Sequence, residues 1–100
     1  MSIPNAPTNL RVNWTRSGGL HNVVTWNGSG SETGFNIYRA VDGDILTNQF
    51  TILATVTAPV TTYNDPAVSL SHVYGYRITA FNADGESPLS GIYVNHPGQP

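Results

Sequence analysis

Apolar and polar residues alternate along this chain with a period of two. Leu10, Val12 and Trp14 alternate with polar neighbours; Val24 and Trp26 follow, then Phe35 and Ile37, then Tyr74, Tyr76, Ile78 and Ala80. A period of two sends successive side chains to opposite faces of an extended strand. Each run ends in turn chemistry (RSGG, NGSGSETG, VDGD, NDP, NADGESP), where Gly, Asn, Asp and Pro favour reversal. No stretch carries the repeat of an amphipathic helix. The pattern predicts strands A over about 8–15, B 21–27, C 34–41, C′ 49–57, E 61–64, F 72–82 and G 90–95. C′, reading QFTILATV, alternates least well. Seven short strands at this spacing predict an all-β fold, a sandwich of two sheets. There is no internal repeat, so residues 1–100 read as one domain, with Pro-rich linker stubs at 1–6 and 96–100.

Strand parity assigns the two faces. Trp26, Phe35, Ile37, Tyr74, Tyr76 and Ile78 point inward as the core, while Tyr38, Arg77, Thr79 and Phe81 point outward. If C, F and G share a sheet, Tyr38, Arg77, Phe81 and Tyr93 form an outer patch. Tyr and Arg are enriched at interfaces. Cross-strand pairing, worth about 0.2–1 kcal/mol per pair, is the simpler account of such a row.

Composition narrows the function classes. One hundred residues suffice to bury a core. Charged residues make up only 10% and the formal net charge is −2. All four cations are arginines, Arg11, Arg16, Arg39 and Arg77, too few and too scattered for a nucleic-acid stripe. No apolar run approaches the ~20 residues that span a bilayer, and no signal peptide is visible at the start. With no cysteine, a disulfide scaffold, a thiolate metal site and a cysteine nucleophile are excluded.

The search for chemistry is negative. His21, His72 and His96 lie apart, without metal-ligand spacing. Asp42-Gly43-Asp44 offers too few oxygens for calcium and reads as a turn. Asp65-Pro66 starts a crossover, with Asp65 capping nearby backbone N–H groups. There is no G-x-S-x-G, no P-loop and no acid pair in an apolar setting. Asn13-Trp14-Thr15 and Asn27-Gly28-Ser29 match the glycosylation sequon, a match common in a chain rich in Asn, Ser and Thr. The expectation is no enzyme, no cofactor and no metal.

The run YGYRITAFNADGESPLS, Tyr74 to Ser90, is the most specific stretch. A tyrosine early in strand F can keep its ring in the core and bond its hydroxyl to backbone just upstream, the tyrosine corner. Tyr74 fits that role. Tyr76 occupies the place where antibody domains carry a cysteine, so hydrophobic filling stands in for a covalent staple. Together with APTNLRV, VVTW, GFNIYR and TTYND, this run resembles the fibronectin type III family over nearly the full length. The resemblance implies a seven-stranded immunoglobulin-like β-sandwich of fibronectin type III type, with sheets A-B-E and C′-C-F-G and Trp26 as the core tryptophan on strand B. The integrin-binding Arg-Gly-Asp triplet is absent. The FNIYRAVDG style is also similar to modules of bacterial extracellular enzymes and phage virion proteins.

That resemblance implies a non-catalytic spacer or interaction module of a larger extracellular, cell-surface or virion protein. The alternative is an accessory domain of a bacterial carbohydrate-active enzyme. Contact with a protein or glycan would run through the F–G loop (Asp84, Gly85, Glu86) or the outer face (Tyr38, Arg77, Phe81). Neighbouring domains of a larger chain are the expected partners. Nucleic-acid binding and membrane insertion are not expected, and the isolated domain is expected to be a monomer.

Overall fold

The computed structural model describes residues 2–99. In chain order its elements are β1 (Thr8–Thr15), β2 (His21–Asn27), β3 (Gly34–Val41), a helical turn α1 (Gly43–Leu46), β4 (Thr51–Thr57), β5 (Thr62–Asp65), β6 (Tyr74–Asn82), β7 (Gly85–Glu86) and β8 (Tyr93–Asn95). One sheet runs β1-β2-β5; the other runs β4-β3-β6-β7, with β8 also paired to β6. All pairs are antiparallel. This is the two-sheet sandwich that the alternation predicts, and its sheets are the A-B-E and C′-C-F-G that the family resemblance implies.

The core lies between the sheets. Trp26 is 2% exposed, Tyr74 4%, and Phe35, Ile37, Tyr76 and Ile78 are fully buried, with Val12, Val24 and Ala80 beside them. Removing each large apolar side chain from water is worth about 1.5–3 kcal/mol. Trp26 meets the Phe35 ring edge to face at 5.5 Å, a favoured aromatic arrangement. The Tyr74 hydroxyl accepts a hydrogen bond from the Ser69 N–H at 2.8 Å, five residues upstream. The tyrosine corner is therefore present.

Tyr76 differs from the hydrophobic filling expected of it. Its hydroxyl donates to Asp65 Oδ2 at 2.6 Å and accepts from Asn22 Nδ2 at 2.9 Å. Asp65 lies on β5 and Asn22 on β2, so the bond crosses from one sheet to the other. The staple is polar as well as apolar. Asp65 does cap the crossover, accepting from the Ala67 N–H at 3.1 Å. It also receives Arg39 Nη1 at 2.8 and 3.1 Å.

Strand G is the main departure. It is not continuous over 90–95 but splits into β7 and β8 around Ser87-Pro88-Leu89-Ser90. Pro88 has no N–H to donate to a ladder. Serine hydroxyls fill the gap: Ala80 N–H donates to Ser87 Oγ and Ile78 N–H to Ser90 Oγ, each at 2.9 Å. Tyr93, of opposite parity to outward Glu86, pairs with Tyr76, an inward residue, and packs against the core, so it does not join the outer patch. The VDGD turn leads into the four-residue helical turn α1, Gly43–Leu46, too short to leave a periodic signal. In the two Pro-rich terminal segments Pro4 and Pro97 are fully buried, while Met1 and Pro100 lie outside the described residues. Trp14 Nε1 donates to the Gln99 carbonyl at 2.8 Å.

Candidate functional site

The outer face of the β4-β3-β6-β7 sheet gathers most of the polar residues singled out from sequence. Register sets its rows: Gly34 opposes Phe81, Asn36 opposes Thr79, and Tyr38 opposes Arg77. On the other side of β3, Asn36 opposes Thr55 and Tyr38 opposes Ile52. Opposed residues in an antiparallel pair share a face, so all of these stand outward.

Glu86 reaches this face through the F–G turn. Asn82 Oδ1 accepts from the Asp84 N–H at 2.8 Å, and Gly85 takes φ 137°, a value open to glycine. The chain then re-enters the sheet with Glu86 opposite Phe81. The carboxylate lies back across β6 and β3. Its Oε2 accepts from Tyr38 Oη at 2.5 Å, Thr79 Oγ1 at 2.5 Å and Asn36 Nδ2 at 3.0 Å. Thr55 Oγ1 steadies Asn36 by donating to its Oδ1 at 2.8 Å. Hydrogen bonds from Thr79, then Tyr38, then Asn36 hold the Glu86 carboxyl below the ordinary glutamate range. The same bond to Glu86, with burial second, raises the Tyr38 hydroxyl above its ordinary value. Glu86 is thus an exposed, fixed anion at pH 7. Its three partners are neutral donors, and the ion pairs among the described residues lie elsewhere, at Arg39–Asp65 and His72–Asp42.

Beside this carboxylate runs a groove of about 390 Å³. Tyr38 and Phe50 supply aromatic wall, Glu86 and Asn48 supply polar groups, and Pro88 and Leu89 form an apolar lip. Arg77 stands in the Tyr38 row but is already engaged. It donates through Nε to the Ser90 carbonyl and through Nη1 to Asn48 Oδ1, each at 3.0 Å, and its guanidinium lies 5.9 Å from the Phe50 ring centre. Phe81 also has a structural duty: its ring covers Gly34, where a Cβ would come within 2.5 Å of it.

The structure therefore joins Tyr38 and Glu86, places Arg77 and Phe81 beside them, and leaves Asp84 and Gly85 at the turn. Loop and face, read from sequence as separate candidates, meet at Glu86. Asn36, Asn48 and Phe50 were not singled out, and Thr79 was placed outward without a role. Asn36 and Thr79 share parity with Tyr38, which is a readable signal. Asn48 and Phe50 lie before β4, where the pattern is poor.

The second carboxylate cluster is interior. Asp65 and Asn22 are fully buried. Burial opposes the charge on Arg39, yet the Asp65 carboxylate outweighs it and holds that guanidinium above its ordinary pKa. Burial first, and Asp65 second, push the Tyr76 hydroxyl strongly upward. Such a cluster is structural, with no open approach to a ligand. Among the described residues no group of three or more His, Asp or Glu gathers within reach of one metal ion, and no helix is long and apolar enough to cross a membrane.

No family model and no curated protein sequence matches the chain. Solved structures do. An Fn3-like protein from Clostridium thermocellum is 25% identical, with a TM-score of 0.78 and 99% of each chain covered. The third fibronectin III domain of the human KIAA0343 protein is 25% identical, with a TM-score of 0.70, over 94% of this chain and 82% of that one. A β-1,2-glucanase from Parabacteroides distasonis is 22% identical, with a TM-score of 0.73; 96% of this chain matches 14% of that chain. The fold is that of a fibronectin type III domain, and such domains occur within larger proteins, an enzyme among them.

Proposed function

We propose that this fibronectin type III domain is a non-catalytic module of a larger extracellular, cell-surface or virion protein, acting as a rigid spacer that also offers an interaction surface. The carrying observation is how its reactive groups are used. Asp65, Arg39 and Tyr76 are spent on joining the two sheets. The Glu86 carboxylate is tied to three neighbours on an open sheet face. A general acid or nucleophile needs an acceptor of its proton or a substrate atom held against it. Neither cluster provides a second carboxylate for that work. The rigid sheet instead holds the F–G turn and the Tyr38–Glu86 face toward solvent.

The likeness to a small part of a bacterial glucanase supports a second reading, an accessory domain of a carbohydrate-active enzyme. The test is to incubate the isolated domain with soluble β-glucans while recording its amide NMR spectrum and assaying released sugar. The module reading expects no product. Shifts confined to the outer face with a glucan would favour the accessory role. Sugar release abolished by Glu86→Gln would overturn the non-catalytic reading.

A further inference from the structure

The Tyr38–Phe50–Glu86 groove has a chemistry that selects its occupant. Glu86 is an exposed carboxylate whose Oε2 takes three hydrogen bonds from neutral donors. Those bonds fix its position and leave its negative charge uncompensated. The nearest candidate cation on the face, Arg77, is turned to Ser90, Asn48 and Phe50. An aromatic wall stands next to the anion, and aromatic faces attract cations. The lip is apolar: Leu89 is 39% exposed, and Ile52, opposite Tyr38 on β4, is 56% exposed.

From this charge complementarity we propose that the groove docks a protein partner through one arginine or lysine side chain, its head on Glu86 and its stem along Tyr38 and Leu89, with an adjoining apolar residue against Ile52. The inference rests on the interaction-module reading and names its partner chemistry. A planar guanidinium suits the site better than an ammonium, because it can bond the carboxylate while lying on a ring. Glu86 needs no rearrangement to receive it, since Thr79, Tyr38 and Asn36 already hold it. Preorganisation of this kind lowers the ordering cost of binding. A neutral sugar would use the ring and the carboxylate as an acceptor but would leave the charge unmatched.

The test is an amide NMR titration of the whole domain with two capped dipeptides, acetyl-Leu-Arg-amide and its citrulline isostere, and separately with cellotetraose. Citrulline keeps the shape of arginine and removes its charge. The expected result is saturable shifts at Tyr38, Phe50, Thr79, Glu86 and Leu89 with the arginine probe. Binding of the citrulline probe, and of the arginine probe to Glu86→Gln, should be about tenfold weaker, as expected for loss of a charge-assisted bond. Leu89→Lys places a like charge at the lip without touching the Glu86 hydrogen bonds, and should weaken the arginine probe likewise. Equal binding of the two dipeptides, shifts with cellotetraose alone, or an absence of shifts would each overturn the proposal. None of these outcomes would bear on whether the domain is catalytic, which the sugar-release assay decides separately.

Discussion

Two carboxylates in this domain each accept a hydrogen bond from a tyrosine hydroxyl, Asp65 from Tyr76 and Glu86 from Tyr38. Both bonds are short, at 2.6 and 2.5 Å. Their surroundings separate them. Asp65 is sealed between the sheets, paired with Arg39 and in contact with a second sheet through Tyr76. Glu86 lies on one open sheet face among neutral donors. A buried charge must be matched or it destabilises the fold. An exposed one is solvated and can stay unmatched at little cost. The same chemistry therefore serves as a joint in one place and as an offered surface in the other.

The largest expected effects break the joint. Asp65→Ala strands the Arg39 charge, the Tyr76 hydroxyl and the Ala67 N–H together. The expected loss is about 3–5 kcal/mol in urea unfolding, the range for breaking a buried pair. A loss below about 1 kcal/mol, the range of exposed pairs, would show that the cluster does not hold the sheets. Trp26→Ala should cost a similar amount, about 3–5 kcal/mol, through the cavity it leaves against Phe35. Thermal unfolding at the parent's temperature would contradict its central place.

Tyrosine hydroxyls give the next tier. Tyr74→Phe leaves the Ser69 N–H without its partner, and about 1–3 kcal/mol should be lost. Tyr76→Phe leaves both Asn22 and Asp65 short and should cost at least as much. Tyr38→Phe, on the open face, should cost under about 1 kcal/mol.

The smallest effect is a pH dependence on the face. The folded state holds the Glu86 carboxyl below its unfolded value of about 4.3. Its contribution is therefore complete above about pH 4.3 and is lost as pH falls through the lower folded value. Between those points the unfolded chain binds more protons, so stability rises with pH. Exposure keeps the amount under about 1 kcal/mol. Comparing the parent with Glu86→Gln from pH 6 downward should show the two curves converging in that acid window; parallel curves would mean that the hydrogen bonds to Oε2 do not favour the ionised form.

Alternation made the sandwich legible, because a one-residue slip would turn Phe35, Ile37, Tyr74, Tyr76 and Ile78 out of the core. The tyrosine corner was legible too, since Tyr74 and its partner Ser69 are near in sequence. The polar joint was not. Asp65, Asn22, Arg39 and Tyr76 come from four strands, and only the stacking of two sheets brings them together. Tyr93 belongs to the inner face, and alternation counted from outward Glu86 already gives that: Ile92 and Val94 are exposed, while Tyr93 opposes Tyr76. The outer site was half legible: Tyr38, Arg77, Phe81 and Glu86 were singled out, but the turn at Gly85 decides that Glu86 lies over Thr79.

The most direct measurement is a pair of double-mutant cycles in urea at pH 7, Tyr76→Phe with Asp65→Asn and Tyr38→Phe with Glu86→Gln. The interior coupling should be about 1.5–3 kcal/mol, as for a buried bond to a charged group. The coupling on the face should be below about 1 kcal/mol. Equal couplings, or a larger one between Tyr38 and Glu86, would contradict the division into a structural joint and an available surface.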